Sequence, residues 1–124
     1  MWLTFGAAAA AAVASRPFRV EVAGRSMMPT LRPGDWLVVT RRGRIRRGSV
    51  VVLHHPGDQF DLVKRVAAVP GDSFGDGVLD QGRYVVVGDD PAASTDGRTF
   101  GPVERSAIEG VVRFRYWPRP APVH

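Results

Sequence analysis

The sequence has no cysteine, so it can hold neither a disulfide framework nor a thiolate zinc site, and its redox compartment stays open. Lysine is nearly missing as well: Lys64 is the sole lysine beside sixteen arginines. The longest charge-free apolar stretch, Met1–Ala14, would cover roughly 20 Å as a helix, short of a ~30 Å hydrocarbon core. No internal repeat is present.

What is there suits one compact domain: 124 residues, with ten prolines and fourteen glycines that favour turns and short strands over long helices. Three zones are expected: an apolar N-terminal segment over 1–15, a folded domain over 16–117, and a proline-bearing C-terminal tail over 118–124 without regular structure. The middle zone carries short β-branched runs at Phe18–Ala23, Trp36–Thr40, Ser49–His54, Leu62–Ala68, Tyr84–Val87 and Gly110–Tyr116. Turn signals separate them at Arg32-Pro33-Gly34-Asp35, Pro56-Gly57-Asp58 and Pro70-Gly71-Asp72. This spacing predicts a mainly β domain, a small folded sheet or barrel, with one helical turn within Pro102–Ile108.

The formal charge of +5 raises nucleic acid and anionic membrane as partners. The densest basic cluster, Arg41, Arg42, Arg44, Arg46 and Arg47, has no interleaved aromatic for base stacking and is expected to be a solvated turn. Nucleic acid is therefore not the expected partner. For Met1–Ala14 three readings stay open: a marginal membrane anchor, the remnant of a signal peptide, or a surface helix. Its flanking arginines, Arg16, Arg19 and Arg25, lie on the C-terminal side, which would keep a following domain in the cytoplasm if the segment spanned. The expected location is cytoplasmic or membrane-associated.

One string concentrates chemistry: Gly24-Arg25-Ser26-Met27-Met28-Pro29-Thr30-Leu31, followed by Pro33-Gly34-Asp35. A serine hydroxyl needs a base to take its proton during attack. The candidates are His54, His55, His124 and the lone Lys64. Arginine cannot lose its proton, whereas a lysine in apolar surroundings can. Leu62, Val63, Val66, Ala67 and Ala68 supply apolar neighbours, although a lysine facing solvent remains the plain alternative. His54 and His55 are adjacent and point to opposite faces of a strand, so they cannot easily share a metal; neither metal nor cofactor is expected.

Ser26-Met27-x-Pro29-Thr30-Leu31, Gly34-Asp35, Lys64-Arg65-Val66 with Pro70-Gly71-Asp72, and Gly88-Asp89-Asp90 through Ser94-x-Asp96-x-Arg98 to Gly101 occur in that order. Together they resemble the ordered motif boxes of the type I signal peptidase family, over about residues 18 to 117. The resemblance implies a serine endopeptidase of the Ser-Lys dyad type, with Ser26 as nucleophile and Lys64 as general base. It further implies that Ser94 orients Lys64, and that Asp96 and Arg98 form an ion pair behind the site. Some family members use a hydroxyl two residues before the nucleophile as an oxyanion donor; here that position is Gly24. Asp90 and Gly97 stand where the family commonly has Asn and Ser. For Asp89 and Asp90 a capped, solvated turn is the plain reading, and Met27 either lines the cleft or packs in the core. The expected partner is a precursor protein or leader peptide, bound as an extended strand beside Val20–Arg25 or Leu62–Lys64.

Small size, His54-His55-Pro56, Pro91-Ala92-Ala93-Ser94-Thr95-Asp96 and the ending Arg113-Phe114-Arg115-Tyr116-Trp117-Pro118 resemble the nickel-type superoxide dismutase maturation protease subfamily. The alternative is a compact membrane-bound signal peptidase acting on exported proteins. Self-cleaving repressors of the SOS type carry a helical DNA-binding domain, for which Met1–Ala14 is too short. From another class, an inactive basic β-domain would bind nucleic acid or anionic membrane through Arg41–Arg47.

Overall fold

The computed structural model describes residues 16–41, 43–54 and 61–124. The N-terminal apolar segment, Arg42, His55 and the Pro56-Gly57-Asp58 turn lie outside the described residues. The chain is mainly β, as its spacing predicts. Strands β1 (Phe18–Glu21), β2 (Trp36–Thr40), β3 (Val50–His54), β4 (Asp61–Ala68), β7 (Arg83–Val87) and β9 (Ile108–Trp117) occupy the six β-branched runs. Among the described residues no helix is long and apolar enough to cross a membrane.

An antiparallel sheet runs in the order β1-β2-β9-β3-β4-β7-β8, with β8 at Val103–Glu104 and β10 (Ala121–Pro122) added against β9. The run Val50–Leu53 has no polar alternation because β3 is buried on both faces. Val50 and Val52 join a cluster with Met27, Leu31, Leu37, Val39 and Val112. Val51 and Leu53 point the other way, into a cluster with Val66, Val86, Ile108 and Val111. The sheet thus folds around two apolar cores.

Turn chemistry closes the strands as expected at two places. Asp35 N–H donates to the Arg32 carbonyl at 3.0 Å, with Pro33 and Gly34 (φ 91°) in the middle, the residues a type II turn demands. The Asp72 carboxylate accepts from Val69 N–H at 2.9 Å across the second Pro-Gly turn. The basic turn is exposed at Arg41, Arg44, Arg46 and Arg47; Arg41 lies 4.4 Å over the Phe18 ring and Arg47 is 3.5 Å from Asp72.

Three local features differ from the elements the sequence predicts. The short connection after β4 is a small hairpin, β5 (Ser73–Phe74) with β6 (Gly77–Val78), whose two-residue strands are too short for periodicity to reveal. A helical turn, α1 (Gly97–Phe100), appears where none was expected, in addition to the 3-10 turn Arg105–Ala107 inside Pro102–Ile108. The C-terminal tail is not irregular throughout: β10 pairs with Arg115 and Phe114 of β9, and Val123 packs on the first core.

Candidate active site

Four segments meet: the serine turn after β1, the middle of β4, the Gly88–Asp90 corner after β7, and the Ser94–Arg98 stretch leading into α1. The serine turn is compact. Met28 N–H reaches the Arg25 carbonyl at 3.1 Å and Leu31 N–H the Met27 carbonyl at 2.9 Å. Met27 and Leu31 anchor it, each only 1% exposed within the first core. Met27 therefore packs in the core and does not line a cleft. The Ser26 carbonyl is held by the Asp90 N–H at 2.8 Å.

Lys64 stands in the middle of β4, opposite Val51 and on the same face as Val66, which places its stem against the second core. It is 3% exposed, so the solvent-facing alternative is excluded. Burial pushes the ammonium below its ordinary value; the Asp96 carboxylate partly offsets this, and the Arg98 charge adds to it. Lys64 Nζ donates to Ser94 Oγ at 2.9 Å, and Ser94 Oγ donates to Asp96 Oδ2 at 2.6 Å. Among the described residues no hydrogen bond joins Lys64 to Ser26; in unliganded sites such contacts are often long and tighten when substrate is held.

Asp96 is fully buried and its charge is fully paired, as a buried carboxylate requires. Oδ2 accepts from Gly88 N–H at 2.7 Å and from Arg98 Nη2, while Oδ1 accepts from Arg98 N–H at 3.1 Å and Arg98 Nε at 3.0 Å. Burial alone would push this carboxyl up. The hydrogen bonds from Arg98, Ser94 and Gly88 outweigh it and hold the group far below the usual carboxylate range. Asp96 is also the N-cap of α1.

Gly88 is the joint between the two halves. A Cβ there would lie 2.4 Å from Ser94 Oγ and 2.6 Å from the Ser26 carbonyl oxygen, so only glycine lets the serine turn and the lysine's partner approach this closely. Gly97 has the same logic: its Cβ would meet the Val86 carbonyl at 2.6 Å, which accounts for glycine where the family often has serine. Gly24 differs. It is exposed, with nothing within 4 Å of a built Cβ.

Asp89 is not a solvated turn residue. It takes a bidentate pair from Arg65, Nε to Oδ1 at 2.8 Å and Nη2 to Oδ2 at 2.9 Å, plus Thr30 Oγ1 at 2.6 Å. The Arg65 hydrogen bonds lower its pKa; burial opposes them, and the Thr30 bond assists. This clamp ties the serine turn to β4, one residue from Lys64 and on the opposite face. Sequence reasoning missed it; the only signal was Arg65 beside Lys64 and Thr30 in the serine box. Asp90 does behave as a cap, its carboxylate accepting from Ala92 N–H at 3.1 Å.

The first half of β4 is paired on one side. β3 pairs with all of Asp61–Arg65, whereas β7 pairs only from Arg65 onward. Among the described residues, Asp61–Lys64 thus has no strand on its second side.

The family described as signal peptidase, peptidase S26, matches residues 1–75 and 73–117. Signal peptidase IB of Staphylococcus aureus (strain Mu50 / ATCC 700699) is 30% identical over 151 positions, covering 82% of this chain and 78% of that protein. Signal peptidase I of Bacillus caldolyticus is 32% identical over 142 positions, covering 78% of each. Both alignments run longer than the 124 residues of this chain, so the relatives carry inserted segments that it lacks.

Proposed function

The chain belongs to the signal peptidase family, peptidase S26, and is a serine-type peptidase; from that premise we propose that Ser26 and Lys64 form its catalytic dyad and that it removes an N-terminal leader from a precursor protein. The observation that carries this reading is the buried Lys64 amine, kept easy to deprotonate and aimed by Ser94, beside the Ser26 turn across Gly88.

Neutral Lys64 takes the Ser26 hydroxyl proton as Oγ bonds to the scissile carbonyl carbon. The oxyanion accepts from the Ser26 N–H. Lys64 then gives its proton to the departing amine nitrogen as the C–N bond breaks. A water, deprotonated by the same amine, attacks the acyl carbon, and Lys64 returns that proton to Ser26 Oγ as the ester C–O bond breaks. Substrate lies as an added strand along Asp61–Lys64, where backbone groups lack a strand partner.

The favoured substrate class is the nickel-type superoxide dismutase precursor. Support comes from His54-His55-Pro56, from Pro91 to Asp96, from the ending Arg113 to Pro118, and from the segments present in the signal peptidases but not here. The second reading, a compact membrane signal peptidase, draws on the two bacterial relatives, and association through residues 1–14 belongs with it. Purified chain offered each precursor, with Ser26→Ala, Lys64→Ala and Lys64→Arg as controls, tests both levels. Wild type should cut the dismutase precursor at its leader boundary, and all three variants should be inactive with unchanged folding. Cleavage by any variant overturns the dyad; wild-type cleavage of exported precursors alone overturns the substrate class.

A further inference from the structure

His54, Asp61 and Glu109 come from three neighbouring strands, and the proposed peptidase chemistry uses none of their side chains. His54 and Asp61 are direct cross-strand partners in β3 and β4. Glu109 lies in β9 between Ile108, which pairs with Leu53, and Gly110, which pairs with Val52. That register shift leaves Glu109 as the extra residue of a bulge, a device that re-aims a side chain. The outcome is convergence: one ligand atom from each residue lies within 4.8 Å of the other two, with His54 Nδ1 3.8 Å from Asp61 Oδ1.

We propose that His54, Asp61 and Glu109 bind a divalent transition-metal ion of the zinc class, which clips β3, β4 and β9 together. One imidazole with two carboxylates is a donor set that zinc accepts, and the imidazole selects against magnesium and calcium. The carboxylates of Asp61 and Glu109 come within 4.8 Å of each other. Two ionised carboxylates so placed repel, and a dication between them removes the repulsion. Access is open: the side chains of His54 and Asp61 are about half exposed. Adjacent His54 and His55 suggested no shared metal; the partners of His54 come instead from across the sheet.

The test is calorimetric titration of zinc into untagged full-length chain freed of metal by chelator, with magnesium as control. Wild type should bind one equivalent, and Ser26→Ala should bind equally well. Glu109→Gln and His54→Ala should each weaken binding about tenfold or more. Saturating zinc should raise the wild-type Tm by about 5 °C, and raise the variants' far less. Asp61→Asn serves if either variant loses its fold, which the metal-free Tm reports. No saturable zinc binding, or affinity unchanged in the variants, overturns the site.

Discussion

Replacing Gly88 by alanine adds one methyl group at the contact between the two halves of the proposed dyad. Its Cβ would stand 2.4 Å from Ser94 Oγ, 2.7 Å from Ser94 Cβ and 2.6 Å from the Ser26 carbonyl oxygen, where ordinary contact begins near 3.4 Å. Relief needs about 1.0 Å at Ser94 Oγ and about 0.8 Å at the Ser26 carbonyl. Neither moves freely. Ser94 is held between Lys64 and Asp96, and the Ser26 carbonyl is held by Asp90 N–H. Overpacking of this kind costs about 1–3 kcal/mol, which leaves most of a typical domain's stability intact. A misplacement approaching 1 Å costs about a hundredfold in rate. The expected result is therefore a folded protein, with Tm lowered by several degrees and kcat/KM down about a hundredfold, mostly in kcat. Urea unfolding and steady-state cleavage of a leader-bearing precursor measure the two quantities separately. A Gly88→Ala protein within twofold of wild-type kcat would refute the reasoning that this contact sets the dyad.

Other outcomes follow from the same network. Cleavage should rise with pH to a midpoint below the ~10.4 of an ordinary lysine, because the buried Lys64 sheds its proton more readily; a pH–rate profile flat into acid would remove Lys64 as base. Asp89→Asn should cost about 2 kcal/mol in urea unfolding, since it removes the charge from a part-buried carboxylate that takes a bidentate pair from Arg65 and a hydrogen bond from Thr30. The depressed Asp89 carboxylate contributes stability above its ordinary value near 3.8 and loses it as pH falls through the lower folded value, so the wild-type advantage over Asp89→Asn should shrink below about pH 4. Gly24→Ser has open space around it; it should leave Tm unchanged and raise kcat by about tenfold if the hydroxyl supplies the second oxyanion donor, with no gain showing that backbone or water already does.

The dyad candidates emerge from scarcity and order: one lysine among sixteen arginines, and motif boxes in a fixed sequence. The supporting parts could not emerge that way. Asp89 and Asp90 are neighbours of one type, yet one is a clamp and the other a cap, because only Asp89 meets Arg65 and Thr30 from distant segments. Gly88 reads as an ordinary turn glycine until folding brings Ser26 and Ser94 against it. Met27 carries no mark that separates core from cleft, and its burial settles the matter.

The sequence by itself determined the mainly β class, the six principal strands and their turns, because β-branched runs and Pro-Gly-Asp signals act on the local backbone. Only the tertiary structure decided which side chains share an environment. β3 alternates its valines between two cores, β4 sends Lys64 to one face and Arg65 to the other, and a bulge turns Glu109 toward His54 and Asp61. The physical reason is that pKa, burial and contact depend on neighbours supplied by chain distances of tens of residues, such as the 59 that separate Thr30 from Asp89. No local pattern records those neighbours.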